Sequence, residues 1–266
     1  MTHDLKDRFE SEQHLTGTWV SIGHPTVAEV SASVGFDFVL IDTEHTTISL
    51  ETLENMVRAV EAAPGDTEVV VRVPWNDHVR LKRVLDIGVG GVMIPMISSR
   101  REAESLVEAV RYPPEGIRGV ASGRATGYGQ NFEEYVGNAG DSLFTIVQIE
   151  TESGLANVDE IASLDGVDSL FVGPADLSAS LGVFGELESD AFEEAVDAVV
   201  GAGDDQGLPV GTLTTDPDDV EDRLSQGFDY LIVGKDTATL AAADRAALSA
   251  YEQAAESVTG TPTQSD

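Results

Sequence analysis

Glu150 and Asp176 are the residues around which chemistry can be built. Each closes an apolar run of strand character, Leu-Phe-Thr-Ile-Val-Gln-Ile-Glu at 143–150 and Ser-Leu-Phe-Val-Gly-Pro-Ala-Asp at 169–176. A strand that hands a carboxylate to the rim of a sheet places an acid where water is scarce. Two such acids are what a hard divalent cation requires: oxygen ligands, two negative charges, and positions left open for substrate and water. Other polar side chains fall at strand ends too, namely Asp42 and His45 in Asp42-Thr-Glu-His45, then Arg72 and Gln148. Asp42, three residues before His45, can orient an imidazole and raise its basicity, as a general base needs.

Each of these residues also has an ordinary structural use. Arg72 can cap carbonyls or pair with an acid at a sheet edge, His45 can be a surface-loop histidine, and Asp176 can cap a helix that begins at Leu177. His3, His14, His24 and His78 read as surface or local-turn residues. What favours chemistry is that the strand-end polar groups fall at the same end of successive strands, which depends on how the strands are arranged.

Eight β-rich apolar runs are spaced along the chain, at 17–22, 36–41, 68–73, 91–96, 143–149, 169–172, 208–213 and 230–233. Amphipathic helical patterns lie between them, at 26–34, 50–63, 77–86, 100–111, 157–164, 190–206 and 218–226. Ser49 and Asp218 supply helix starts, and Gly35, Gly207 and Gly227 supply stops. Repeated βα units predict a parallel sheet, and eight of them favour a closed (β/α)8 barrel over a doubly wound sheet. In such a barrel the strand C-terminal ends form the active face. Residues 15–256 are expected to form this one catalytic barrel, with flexible segments at 1–14 and 257–266. The Gly-, Pro- and Arg-rich stretch 111–130 is a long connection, read as a functional rim or an oligomer contact.

Composition limits the partners. Acids number 48 against 15 Lys+Arg, a formal net charge of -33, and the only lysines are Lys6, Lys82 and Lys235. That charge repels nucleic acid and anionic membrane. No apolar run approaches the roughly 20 residues of a membrane span, and no signal-peptide core is present, so a soluble cytoplasmic protein is expected. With no cysteine, disulfides, thiolate metal sites and cysteine nucleophiles are excluded. The acids are spread over helical stretches, which reads as adaptation to a high-salt cytoplasm where ions screen the self-repulsion.

The residues resemble the HpcH/HpaI family of class II pyruvate-dependent aldolases, over about 17–240. The resemblance is carried by five motifs in order: Phe-Asp-Phe-Val-Leu-Ile-Asp-Thr-Glu-His at 36–45, Val-Arg-Val-Pro-Trp-Asn at 71–76, Arg-Tyr-Pro-Pro-Glu-Gly-Ile-Arg-Gly at 111–119, Val-Gln-Ile-Glu-Thr at 147–151 and Phe-Val-Gly-Pro-Ala-Asp-Leu-Ser at 171–178. It implies a barrel of the phosphoenolpyruvate/pyruvate type. It also implies a divalent metal (Mg²⁺, Mn²⁺ or Co²⁺) on Glu150 and Asp176, chelated by pyruvate. Arg72 would stabilise the enolate, and His45 paired with Asp42 would be the acid/base. Gln148 would order water or substrate, and the backbone around Gly173, Pro174 and Ala175 would shape the carboxylate pocket. A homohexamer with a last helix swapped between protomers is implied as well.

The expected reaction is reversible cleavage of a 4-hydroxy-2-oxo acid, a 2-keto-3-deoxy sugar acid or a 4-hydroxy-2-oxo diacid, to pyruvate and an aldehyde. Two rivals stand beside it: decarboxylation or lysis of an oxaloacetate-type 2-oxo acid through the same enolate, and a catalytically silent barrel acting as a binding protein. Two cations have open roles. Lys235, at the end of the eighth strand, is either a Schiff-base lysine or a rim salt-bridge partner. Arg124 faces either an acidic aldehyde or a neighbour's carboxylate.

Overall fold

In a computed structural model that describes residues 5–11 and 14–259, eight parallel strands close into a barrel in sequence order. They are β1 (Thr16–Val20), β2 (Phe38–Asp42), β3 (Glu68–Arg72), β4 (Gly91–Ile94), β5 (Phe144–Ile149), β6 (Ser169–Val172), β7 (Val210–Thr214) and β8 (Tyr230–Lys235). All eight expected strands are present. Period-two alternation sorts their side chains: Trp19, Phe38, Leu40, Val70, Met93, Phe144, Ile146, Phe171, Tyr230 and Ile232 fill the barrel interior. Val39, Ile41, Val69, Val71, Val92 and Val147 point outward to the helices. Such strands are buried on both faces, which is why they read as nearly continuous apolar runs.

The register is pinned from below. Asp37, Asp168 and Asp229 each stand one residue before a strand and accept a backbone N–H from the start of the preceding strand, at Thr16 (2.6 Å), Thr145 (2.8 Å) and Val210 (2.8 Å). Helix starts are capped by side chains: Ser49 accepts from Thr52 N, Asp77 from Arg80 N, Ser99 from Glu102 N and Thr151 from Gly154 N. The helix expected over 157–164 is instead a pair, Glu152–Ala156 and Val158–Ala162, with Asn157 at the joint. The helix Phe132–Ser142 was not legible, because Gly137, Asn138 and Gly140 give it poor propensity. In the connection before it, Arg118 is buried with its guanidinium over the Tyr112 ring at 4.5 Å.

The segment 1–14, expected to be flexible, holds a helix at Leu5–Ser11 that closes the bottom of the barrel; residues 1–4 and 12–13 lie outside the described residues. Leu5 is fully buried, and the Phe9 ring stacks on Phe144 at 4.3 Å and meets Tyr230 edge-on at 4.9 Å. Apolar side chains at positions 5 and 9 share one helix face, so the barrel's open floor orders a stretch that its own composition does not. Leu5→Ala should therefore cost about 2–5 kcal/mol of unfolding free energy in urea titrations. A loss under about 1 kcal/mol would mean that the helix is not part of the core. The tail expected at 257–266 is helical as far as Thr259, and the rest lies outside the described residues.

The last helix, Asp236–Thr259, behaves differently from the others. Leu240, Leu248, Tyr251 and Val258 stand 54–76% exposed along it. Among the described residues no helix is long and apolar enough to cross a membrane.

Candidate active site

Parallel pairing of β2 with β3 sets Asp42 opposite Arg72 at the C-terminal end of the barrel. The two side chains form a bidentate pair, Nε to Oδ1 at 3.0 Å and Nη2 to Oδ2 at 2.9 Å, and both are nearly fully buried. Burial alone would raise the Asp42 carboxyl. The two Arg72 bonds, the guanidinium charge and the backbone N–H groups of Glu44 and His45 outweigh it and hold the group below its ordinary range. Arg72 reaches a third carboxylate oxygen, on Glu44, with Nη1 at 2.8 Å, and its guanidinium lies 4.5 Å above the Trp19 ring.

This arrangement corrects one sequence expectation. Asp42 does not orient the His45 imidazole, because its carboxylate is taken up by Arg72 and by backbone N–H groups. The acid beside His45 is Glu44, whose Oε2 lies 3.6 Å from Nε2, too long for a hydrogen bond. The imidazole itself is 68% exposed at the mouth. Glu44 was overlooked as a site residue, although its spacing of two from Asp42 puts it on the same side of an extended chain. Its carboxyl is raised by burial, an effect that the positive charges of Arg72 and His45 oppose.

Next to this group, Gln148 at the end of β5 and Glu150 just beyond it are both buried. Glu150 accepts from the Met96 backbone N–H (2.7 Å) and from Gln148 Nε2 (2.6 Å), while Gln148 Oε1 is buried with no hydrogen-bond partner. Met96 presents its N–H from a positive φ of 59°, unusual for a side chain of that size and invisible in the sequence. Burial pushes the Glu150 carboxyl up to about 7, the Met96 N–H opposes this, and the charges of Asp176 and Glu44 add to the rise. Asp176 is exposed, inside the first turn of the helix Pro174–Ser180. It is therefore not the cap of a helix starting at Leu177. Gly173, at the N-cap of that helix, leaves the space that Gln148 and Glu150 occupy: a Cβ there would lie 2.6 Å from Gln148 Nε2 and 2.9 Å from Glu150 Oε2.

The donor set fits a hard divalent cation. Among the described residues no three or more His, Cys, Asp or Glu side chains converge into a closed metal cage. An ion that must also bind substrate needs an open site instead, with few protein ligands. Glu150 and Asp176 supply two carboxylates whose mutual repulsion a cation relieves, and the unpartnered Gln148 oxygen is a further acceptor close by. Because a Cβ at position 173 would displace Gln148 and Glu150, Gly173→Ala should lower divalent-metal affinity or turnover about 10- to 100-fold, the size seen when ligand-orienting contacts are disturbed. Metal titration calorimetry on the purified variant checks this, and an unchanged affinity and kcat would show that the glycine is dispensable.

The two remaining cations resolve differently. Arg124 is committed within its own chain, to the Ile87 carbonyl and to Glu61. Lys235 is half-buried at the end of β8 and forms no ion pair among the described residues.

The chain resembles known proteins over most of its length. Residues 15–243 match the HpcH/HpaI aldolase/citrate lyase family. A 4-hydroxy-2-oxovalerate aldolase of Novosphingobium aromaticivorans is 38% identical over 225 residues, 85% of each chain. A hydroxypyruvate/pyruvate aldolase of Paraburkholderia phytofirmans is 39% identical over 252 residues, 93% of this chain and 96% of that one. The crystal structure of an HpcH/HpaI aldolase/citrate lyase family protein from Burkholderia cenocepacia superposes with a TM-score of 0.91 at 36% identity, covering 94% of this chain and all of that one. With the same closed barrel and matches of this length and identity, the chain belongs to the HpcH/HpaI aldolase/citrate lyase family.

Proposed function

We propose that the protein is a carbon–carbon lyase that cleaves a 4-hydroxy-2-oxo acid to pyruvate and an aldehyde, and forms the same bond in reverse. The observation that carries this reading is the placement of a buried, doubly anchored guanidinium beside a crowded carboxylate group at one barrel mouth. That pairing suits a reaction in which negative charge appears on one oxygen next to a cation site. A divalent cation such as Mg²⁺, Mn²⁺ or Co²⁺ on Glu150 and Asp176 would supply Lewis-acid polarisation of the 2-oxo group.

The chain's own residues then divide the work. The Gly173, Pro174 and Ala175 backbone frames the substrate carboxylate, with Ala175 rather than Pro174 offering an N–H. Gln148 holds a water or the substrate through its free carbonyl oxygen. His45 takes the proton of the C4 hydroxyl; the C3–C4 bond breaks, the aldehyde carbonyl forms, and the electron pair moves to the C2 oxygen. Arg72, fixed by Asp42, donates hydrogen bonds to that oxygen as its charge grows. Protonation at C3 completes pyruvate, and the reverse sequence builds the bond.

The same reading includes assembly and habitat. The exposed apolar side chains of Asp236–Thr259 support a last helix exchanged between protomers, within a homohexamer. The charge of -33 supports a high-salt cytoplasm.

A panel of 4-hydroxy-2-oxo diacids and 2-keto-3-deoxy sugar acids, with pyruvate release as readout, tests the function. Activity should vanish in excess EDTA and return with Mg²⁺, Mn²⁺ or Co²⁺. Carbon dioxide release from oxaloacetate without any aldehyde product would favour decarboxylation instead. Full activity in EDTA, with borohydride trapping pyruvate on a lysine, would overturn the metal assignment.

A further inference from the structure

Between the loops that leave β3 and β4 lies a hollow of about 460 Å³, whose lining includes Trp75, Pro95, Met96, Ile97 and Arg101. Two of its large apolar side chains face solvent, Trp75 at 55% and Met96 at 37% exposure. The acid in its lining, Glu102, is turned to the Ser98 backbone N–H at 2.8 Å. From the edge of the hollow, just after Asn76 and Asp77, runs the helix His78–Leu85. That helix carries Arg80, Lys82 and Arg83 and no acid of its own, in a chain with 48 acids. Arg83 lies one turn beyond the exposed Val79, so a cation and an apolar side chain share the outer face.

These arginines are not used by their own chain. Arg80 Nε is buried without a hydrogen-bond partner; burial and the nearby Arg83 charge hold its guanidinium below the ordinary value, and no acid opposes them. Arg83 and Arg101 form no ion pair among the described residues either. Elsewhere cations are committed: Lys6, Arg8, Arg58, Arg111 and Arg124 each hold an acid of the same chain. Lys82 packs on Gly119 and acts on Asp86. An apolar hollow edged by an exposed Trp and unpaired Arg side chains has the composition of an interface centre.

A complementary feature stands beyond β6. Phe184, in the loop after the helix Pro174–Ser180, is 74% exposed, and the exposed acids Glu186, Glu188 and Asp190 follow it. The loop is tied down, since the buried Ser178 accepts the Val183 N–H at its carbonyl (2.9 Å) and the Gly185 N–H at Oγ (3.2 Å). Gly182 and Gly185, at φ 75° and 78°, make the turns that leave Phe184 pointing out. A ring held out in this way loses little freedom when a partner covers it. Two copies at a charge of -33 each repel over most of their surfaces, so they attract where an acidic segment meets unpaired cations. We infer that the hollow and the outer face of His78–Leu85 receive this loop from a second copy, with Phe184 against Trp75 and Met96 and its acids on Arg80, Arg83 and Arg101. This rests on the homo-oligomer reading and names a contact within it, separate from any exchange of the last helix.

The test is the mass of the full chain by size-exclusion chromatography with light scattering, over a dilution series in about 1 M KCl, where only charges near contact still act. Two separate surfaces are altered: Arg80→Glu with Arg83→Glu on one, and Phe184→Ser on the other. Met96 is left intact because its N–H serves Glu150. Each variant should fall to a smaller assembly, with a dissociation constant raised at least about 30-fold, the size of a hot-spot loss. Circular dichroism should show the barrel unchanged in both. Adding Glu186→Arg and Glu188→Arg to the Arg80→Glu, Arg83→Glu chain reverses the charges on both sides and should restore the larger assembly. If either variant keeps the wild-type mass at every concentration, or the charge-reversed chain stays small, the contact is not the one inferred. A wild type that is itself monomeric, leaving this face to some other acidic partner, would remove the homo-oligomer reading together with this inference.

Discussion

Arg72→Ala should produce an enzyme that is both slow and fragile. Turnover should fall about 10²- to 10³-fold, the usual consequence of losing one fixed donor where charge develops. The same change strands Asp42, whose side chain is only 1% exposed, as an unpaired buried anion. Breaking such a pair from one side costs about 3–5 kcal/mol. The two effects separate in a double variant, Arg72→Met with Asp42→Asn, which removes the fully buried Asp42 charge together with its partner and leaves only the less buried Glu44 without its ion pair. Urea unfolding of that protein should recover most of the lost stability, while its kcat stays as low as that of Arg72→Ala. Recovery of both would show that Arg72 only supports the fold, and a near-normal kcat in Arg72→Ala would remove it from the chemistry.

For Glu150→Gln, stability and activity should move in opposite directions. The Glu150 carboxyl titrates at about 7 in the folded chain against 4.5 for the free group. Between those values the folded protein keeps a proton that the unfolded chain has lost. The contribution of this group is therefore fully present below about pH 4.5 and is lost as pH rises through 7. At pH 8 without a divalent ion, the ionised and buried carboxylate costs on the order of 3 kcal/mol. Glutamine removes that charge and keeps the shape. The Met96 N–H still finds an oxygen, and the Gln148 amide, whose own oxygen is unpartnered, can turn to accept from the new side chain.

Metal-free Glu150→Gln should accordingly melt above the wild type at pH 8, with the gap closing by pH 5. Saturating Mn²⁺ should raise the wild type by about 2.7 kcal/mol at a hundred times its Kd and leave the variant unmoved. Turnover should fall by about 10³-fold or more, since a bound cation is worth several kcal/mol to the transition state. Thermal melts at the two pH values, with EDTA and with Mn²⁺, carry the test. A variant that melts at or below the wild type in EDTA at pH 8 would mean that Glu150 is not a strained acid.

Much of this protein was legible without coordinates, and the reason is periodicity. Eight apolar runs separated by helical patterns leave a closed parallel barrel as the arrangement that covers both faces of every strand. Once that is granted, Asp42, Arg72, Gln148 and Glu150 must gather at one end, because each sits at the same end of its strand. The residue types needed for binding a cation and steadying an anion were therefore readable as a set.

What the tertiary structure alone decided was partnership. Which acid faces which cation depends on the register between strands, and the β2–β3 pairing gives Asp42 to Arg72 and leaves Glu44 beside His45. A register shift between β1 and β8, in the stretch that holds Gly234 at a φ of 102°, sets Lys235 opposite Trp19, where an unbroken register would have set Gly234. A positive φ at Met96 aims a backbone N–H at Glu150, and the empty floor of the barrel draws the Leu5–Ser11 helix into the core. These outcomes depend on contacts between residues far apart in sequence. Local propensity and spacing carry no record of such contacts, because each is settled only when the barrel closes.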